Sequence, residues 1–218
     1  MSLKDKIKIP KYTLGEELFS AISHGVGALL SIAALVLCVV FSAIHKDAYA
    51  VVASSIYGST SIILYTMSTL YHSFKVNNAK RVFRIIDHCS IFLLIAGTYT
   101  PYALVALPKA IGWTIFGVNW GCAIIGIVLN SINLEKFKKL SIVLYLIMGW
   151  MIIFSYKSLV ASVPFGGLCF MLIAGALYTI GAVVYGIGKK VKYMHSIFHL
   201  LTLAASICFF FSIFFYVI

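Results

Sequence analysis

Four of the six histidines in this sequence fall near the same end of long apolar segments, together with one carboxylate. They are His24, His72, His195 and His199, and the carboxylate belongs to Asp87. Ionisable side chains are costly in hydrocarbon, so a group of them at one depth indicates a functional site. Imidazoles and a carboxylate gathered in this way most often bind a metal ion.

The spacing within the last segment supports this interpretation. His195 and His199 are four residues apart, so on a helix they lie on one face about one turn apart and can reach the same ion. Such a pair is a weak signal on a soluble helix, where it is usually solvated. Inside a membrane segment the signal strengthens, because two imidazoles without partners would be costly to desolvate.

The other members lie at a matching depth. Three members of the group are each three residues from a basic residue at the end of the apolar segment: His72 from Lys75, Asp87 from Arg84, and His195 from Lys192. Three residues correspond to about 4 to 5 Å along a helix, so each of these side chains lies about that far deeper in the membrane than its basic neighbour. Three histidines with an open fourth position are the ligand set of a catalytic zinc centre. Asp87 is the nearest available anion, and could bind the ion directly or accept a hydrogen bond from its water.

Further polar residues share faces with this group. Ser68 precedes His72 by four residues and could orient the water or a substrate oxygen, or else bond back to its own helix. In the first apolar segment, Glu17, Ser20 and His24 form a polar stripe. We expect His24 to lie around the metal ligands, and Glu17 to be either solvated or paired with a loop cation.

The two remaining histidines are expected to lie away from the site. His88 points about 100° away from Asp87 on the same helix and is predicted to be interfacial. His45 is predicted to lie in a loop at the opposite end.

The composition of the elements that carry these residues is that of an integral membrane protein. The chain has 218 residues, of which 62% are hydrophobic and 11% charged, and its mean hydropathy is +1.04. A helix needs about 20 apolar residues to cross a bilayer core. Seven stretches meet or approach this length, the fifth being the shortest: Leu18–Ile44, Ala48–Phe74, Ile85–Leu107, Ile111–Ile132, Leu140–Tyr156, Phe165–Ile187 and Tyr193–Ile218.

The net charge of +11 follows an alternating pattern. All but three of the 17 basic residues fall in the N-terminal arm and in every second loop, and the exceptions are Lys46, Lys109 and Lys157. The positive-inside rule therefore predicts a cytoplasmic N-terminus and a C-terminus outside. The charge reports topology and attraction to anionic lipid headgroups, so no nucleic-acid partner is expected.

The predicted fold class is all-α, a polytopic membrane protein with a seven-transmembrane-helix bundle. Residues 1–15 are predicted to be a basic cytoplasmic arm and residues 16–218 a single transmembrane domain. The five cysteines are read as core residues. Gly117 and Gly121 are predicted to allow close helix packing. The sequence indicates no protein partner and leaves the oligomeric state open.

The motifs together resemble the hemolysin III branch of the progestin and adipoQ receptor superfamily, which includes the adiponectin receptors and is related to the alkaline ceramidases. The resemblance covers nearly the whole chain, and it rests on Glu17 with Ser23-His24-Gly25, Ser68 to His72, Asp87-His88, Ala96 to Pro101, and His195 to His199. It implies zinc held by His72, His195 and His199, with Asp87 and Ser68 around the bound water. It also implies a multi-pass protein of a bacterial plasma membrane. One position departs from the family, which usually has asparagine where this chain has Ser20.

Three functions are compatible with this reading. The first is a zinc-dependent hydrolase of a lipid amide or ester from the cytoplasmic leaflet, with Asp87 as the base and Ser68 stabilising the oxyanion. The second is a lipid or membrane-state sensor, or a receptor, with a structural zinc. The third is the cytolytic, pore-forming toxin that the family name suggests, although a pore-forming toxin must travel as a soluble species and this surface needs lipid.

Overall fold

A computed structural model describes residues 7–187 and 191–218, and the described residues are helical with no β-strand. The α-helices are α1, Leu14–His45; α2, Ala48–Ser73; α3, Asn78–Pro101; α4, Lys109–Trp150; α5, Tyr156–Ser162; α6, Phe165–Ile187; and α7, Met194–Tyr216. A π-helical turn, Tyr102–Ala106, follows α3, and a 3-10 turn, Met151–Ser155, joins α4 to the short helix α5.

Polar side chains define where the first three helices begin. Thr13 and Glu16 form a capping box at the start of α1, in which each side chain bonds the other residue's backbone N–H. Asp47 accepts a hydrogen bond from the Ala50 N–H at 3.0 Å, and Asn77 accepts one from the Lys80 N–H at 2.8 Å. These caps satisfy N–H groups that a helix leaves without partners, so the apolar segments begin where such residues precede them.

The all-helical prediction is confirmed, and six stretches of the described chain are long and apolar enough to cross a membrane. The predicted fourth segment and most of the fifth fall within α4, and the end of the fifth extends through the 3-10 turn that follows. The helix α4 is broken at Asn133, which has φ −160° and ψ 93°. The Asn133 side chain accepts from the Lys136 N–H at 3.0 Å, as a helix cap does. The Ser141 hydroxyl donates to Asn130 Oδ1 at 2.7 Å, although a straight helix would separate these residues by about 16 Å. The chain therefore folds back at Asn133.

The bundle buries many polar side chains together with its apolar core, and it exposes many large apolar side chains on its outer surface. α1 packs against α2 and α7, α2 against α3, α3 against α4, and α6 against α7. Ser42, Asn119 and Ser212 are fully buried, whereas Leu29 and Ile44 are more than two-thirds exposed. Such an apolar surface is expected where lipid covers the outside of the bundle.

The prediction for Gly117 and Gly121 was wrong, because a Cβ at either position would meet no atom within 4 Å. Close approach occurs at other glycines. A Cβ at Gly97 would lie 1.9 Å from Thr60 Oγ1, and a Cβ at Gly112 would lie 1.9 Å from the Ala103 backbone oxygen. Spacing alone could not separate glycines that face a neighbouring helix from those that face lipid.

We expect Gly112→Ala to destabilise the protein by about 1 to 3 kcal/mol, because the new methyl group meets backbone that can move only with its helix. Gly117→Ala, in the same helix, provides the control and should leave stability unchanged or slightly higher. Thermal unfolding of both variants in detergent measures the difference. Equal melting temperatures would contradict the close contact between α4 and the turn that follows α3.

Candidate metal centre and its cavity

Three histidines from two helices direct nitrogen atoms at one point. His72 lies in the last turn of α2, and His195 and His199 lie in the first turns of α7. The Nε2 atom of His195 is 3.4 Å from Nε2 of His72 and 3.1 Å from Nε2 of His199. One ligand nitrogen from each residue lies within 4.8 Å of the others. Two nitrogens that share a tetrahedral zinc ion lie about 3.3 Å apart, so this cluster can hold a metal ion.

A carboxylate and a lysine hold His72 in place. Glu17 Oε2 lies 2.7 Å from Nδ1 of His72, and Lys80 Nζ donates to Glu17 Oε1 at 2.7 Å. Because an ionised carboxylate only accepts hydrogen bonds, Nδ1 of His72 carries the proton and Nε2 keeps its lone pair for the cluster. A carboxylate behind a histidine is the usual support of a metal ligand. Glu17 thus has the cationic partner considered above and also contacts His72, one of the candidate ligands.

The N-terminal segment covers the cluster. The Tyr12 ring stacks on the His195 ring at 4.8 Å with an interplanar angle of 6°, and it lies 6.1 Å from the His72 ring. Burial raises the pKa of the Tyr12 phenol, and the nearby phenol of Tyr185 adds to this effect. Tyr12 therefore contributes a neutral aromatic face to the site. Sequence reasoning missed this residue, whose only signal is its place directly before the Thr13 cap.

Asp87 and Ser68 lie beside the histidines on the wall of one cavity. Within the described part of the chain, the Ser68 hydroxyl makes no close hydrogen bond, so it is not bonded back to α2, and a longer polar contact joins it to Asp87. Asp87 Oδ2 lies 3.5 Å from Nδ1 of His88. The expectation that His88 points away was wrong, because its side chain turns back toward Asp87 and lines the same cavity. His45, in contrast, lies at the far end of α1, away from the cluster as expected, although it is the last residue of that helix rather than part of the loop.

His24 contacts the cluster without contributing to the three converging nitrogens. Its ring centroid is 3.9 Å from that of His199, and its ring packs edge-on against Tyr65 at 5.0 Å. Both ring nitrogens are buried and make no close hydrogen bond among the described residues, although a longer polar contact joins the ring to the His199 backbone. The structure therefore places His24 next to the candidate ligands, with at least one of its ring nitrogens unused by the protein.

The cavity has a volume of about 150 Å³ and runs from the histidines along α7 toward the C-terminal half of that helix. Its polar end includes His195, His199 and Asp87. Its other end is lined mainly by apolar and aromatic groups: Ile91, Leu94, Ile95, Leu146, Trp150 and Phe209. A molecule with a polar group at one end and a hydrocarbon chain at the other matches this division.

A family model described as "Haemolysin-III related" matches residues 12–210, which include every residue of the histidine cluster. The chain belongs to the haemolysin III family. The family resemblance inferred from the motifs is thus confirmed, and the chain is a multi-pass membrane protein with several membrane-capable helices.

Similar proteins cover nearly the full length of this haemolysin III family chain. "Hemolysin-3" of Bacillus cereus is 41% identical over 203 residues, 93% of this chain and 92% of the relative. "Hemolysin-3 homolog" of Bacillus subtilis (strain 168) is 40% identical over 205 residues, 94% of this chain and 96% of the relative. A more distant match is the human "Monocyte to macrophage differentiation factor", 26% identical over 196 residues, 85% of this chain and 79% of that protein.

In this haemolysin III family chain, Ser20 lies in the contact between α1 and α7. The Ser20 hydroxyl lies 3.3 Å from that of Ser196 on α7, and the Ser196 hydroxyl also donates to the Glu16 carbonyl. Glu16 Oε1 in turn accepts from the Tyr193 N–H at 2.8 Å. These contacts join the starts of α1 and α7, the two helices that bring Glu17 and the His195–His199 pair together.

Proposed function

We propose that this protein is a membrane-embedded, zinc-dependent hydrolase of a lipid amide or ester. The observation that carries the proposal is the convergence of three histidine nitrogens at the polar end of a largely apolar cavity. His72, His195 and His199 would hold the zinc ion. The acyl chain would occupy the apolar end, with its carbonyl beside Asp87 and Ser68.

We also propose that the chain crosses the membrane seven times, with the N-terminus in the cytoplasm and the C-terminus outside. The fold-back at Asn133 supports seven crossings. Two ion pairs support placing the start of α1, the start of α3 and the break in α4 on the same side of the membrane. Arg84 at the start of α3 pairs with Glu135 beside the break in α4, and Lys80 of α3 pairs with Glu17 of α1. The basic residues Lys4, Lys6, Lys189 and Lys190 lie outside the described residues. The site then lies near the cytoplasmic leaflet, where the lipid would be drawn from.

The proposed chemistry is hydrolysis, in which water adds to the acyl carbon and the C–N or C–O bond breaks to give an acid and an amine or alcohol. A zinc ion supplies Lewis-acid polarisation of the carbonyl and makes a nearby water more acidic. Asp87 would accept the proton of that water and return it to the leaving group. The Ser68 hydroxyl would donate a hydrogen bond to the carbonyl oxygen as negative charge develops there.

Acid release from lipid amides and esters tests the proposal. Wild type should release free acid, and chelation of the metal should stop the reaction. We expect Asp87→Asn to lower the rate by about 10²- to 10⁴-fold while the metal content stays the same, because the amide cannot accept the proton. A wild-type protein that holds stoichiometric metal and releases no acid from either class of lipid would contradict the hydrolase.

The second candidate is a lipid sensor or receptor with a structural zinc. The stacking of Tyr12 on His195 favours it, since the N-terminal segment covers the metal cluster. Such a protein should be stabilised by lipid without forming product, so a thermal-stability assay beside the acid-release assay separates the two candidates.

The name of the Bacillus cereus relative, "Hemolysin-3", suggests a third candidate, a cytolytic protein. A direct pore former should cause rapid, zinc-independent dye leakage when the purified protein is added to liposomes at a low protein-to-lipid ratio. The exposed apolar surface argues against it, because a toxin must travel as a soluble species.

A further inference from the structure

Two buried hydroxyl groups are exceptions to the hydrogen bonding of this protein. Every other buried serine or threonine in residues 7–187 and 191–218 bonds a carbonyl or another hydroxyl, whereas Ser68 and Thr202 have no such partner. Ser68 is 1% exposed and Thr202 6% exposed, and both line the cavity. A buried hydroxyl without a close hydrogen bond is costly, so both groups are suited to binding a polar ligand atom.

Thr202 lies beyond the histidine cluster, toward the apolar end of the cavity. It follows His199 by three residues on α7, which places it about 4.5 Å further along the helix axis and on a neighbouring part of the same face. Other threonines on the cavity wall do not share its state. Thr98 donates to the Leu94 carbonyl at 2.7 Å, and Thr179 donates to the Gly175 carbonyl at 2.8 Å.

His24 adds a second polar group with spare hydrogen-bonding capacity. It is 3% exposed, lines the cavity and packs against Tyr65, whose hydroxyl donates to Ser206 at 2.6 Å and lies 3.3 Å from the Thr202 carbonyl. Tyr65 is therefore satisfied and links His24 to Thr202 without using either side chain's polar atoms. A neutral imidazole offers one donor and one acceptor, and a threonine hydroxyl offers both.

We propose that Thr202 and His24 form a subsite for a hydroxyl group on the acyl chain of the lipid. The inference rests on the proposed function, which places the acyl carbonyl at the three histidines. An extended hydrocarbon chain advances about 1.3 Å per bond, so the 4.5 Å offset corresponds to about three to four bonds. The ligand class is thus an acyl group with a hydroxyl near its carbonyl, as in a 3-hydroxyacyl chain.

Binding of dodecanoic acid and 3-hydroxydodecanoic acid tests the subsite without requiring turnover. Each acid displaces a fluorescent fatty acid from the purified full-length protein in detergent, and the ratio of the two dissociation constants is compared between variants. Partitioning of the acids into micelles cancels in this comparison. We expect Thr202→Val, which keeps the side-chain shape, to reduce the preference for the hydroxy acid about five-fold, as loss of one net hydrogen bond does.

Two variants control for packing. Thr98→Val removes a hydroxyl from the same cavity that is already bonded to its own helix, and should keep the wild-type ratio. Thr202→Ser should also keep it. The isomer 10-hydroxydodecanoic acid provides a ligand-side control, because its binding relative to dodecanoic acid should be the same in wild type and in Thr202→Val.

Equal ratios of 3-hydroxydodecanoic acid to dodecanoic acid in wild type and Thr202→Val, or an equal change for the 10-hydroxy isomer, overturn the subsite. The proposed hydrolase would then still stand if acid release depends on metal and on Asp87. The opposite outcome is also informative. If the preference for the hydroxy acid depends on Thr202 but the protein releases no acid from any lipid, the subsite is supported and the proposed hydrolase function is contradicted.

Discussion

His199→Ala is expected to remove the bound metal from a protein that otherwise purifies with about one zinc ion per chain. The variant loses one of three converging nitrogens, and the other two cannot close a site of this geometry. The affinity should fall by more than the roughly 10- to 100-fold that follows loss of an outer hydrogen-bond partner. Metal analysis of the purified variant and wild type measures the change.

A matched control is available, because His45 lies at the opposite end of α1 and contacts Phe41 rather than the cluster. His45→Ala should keep the wild-type metal content. Chelation provides a second readout, since a ligand that binds only the folded state stabilises it by about 2.7 kcal/mol at a hundred times its dissociation constant. Wild type should therefore melt at a lower temperature after chelation, while the melting temperature of His199→Ala should not change. Full metal content in His199→Ala would remove the basis of the proposed site.

The helical fold could be predicted because lipid exposure demands long apolar segments. The predicted segments Ala48–Phe74, Phe165–Ile187 and Tyr193–Ile218 agree with helices to within two residues at each end. The helices that follow the caps Thr13 and Asn77 begin earlier than predicted, because their first turns are polar and an apolar run does not record them.

The break at Asn133 falls directly after the predicted segment end at Ile132, because the charged residues Glu135, Lys136 and Lys138 interrupt the apolar run there. Whether a glycine faces a neighbouring helix or the lipid depends on how its helix is rotated about its own axis. A helix that is apolar on all sides gives no sequence pattern from which this rotation can be predicted.

The candidate site could be predicted in part. His72, His195 and His199 were found because their depths, read from nearby basic residues, agree, and the structure brings them together. The partners of these residues come from elements whose separation in sequence hides the contact. Lys80 reads as an ordinary loop lysine, yet it is 2% exposed and bonded to Glu17, and Thr202 reads as a helix-bonded threonine. Only tertiary structure separates such residues from their solvated or self-bonded counterparts.

Glu17→Gln is expected to weaken metal binding by about 10- to 100-fold, because a neutral amide supports the Nδ1–H of His72 less well than a carboxylate. The same change leaves the buried Lys80 ammonium without its counter-charge, which costs about 3 to 5 kcal/mol when a buried pair loses one member. A fall in metal content alone would therefore be ambiguous between lost positioning of His72 and general destabilisation.

The double variant Glu17→Gln/Lys80→Met separates these two effects. Replacing the lysine removes the unpaired charge, so stability measured without metal should return toward the wild-type value. The carboxylate behind His72 is still missing, so zinc affinity should stay low even though the protein is again stable. If zinc affinity recovers together with stability, Glu17 acts on the metal site only by neutralising Lys80. If affinity stays low at restored stability, the hydrogen bond at Nδ1 positions His72, and the start of α1 is part of the metal centre.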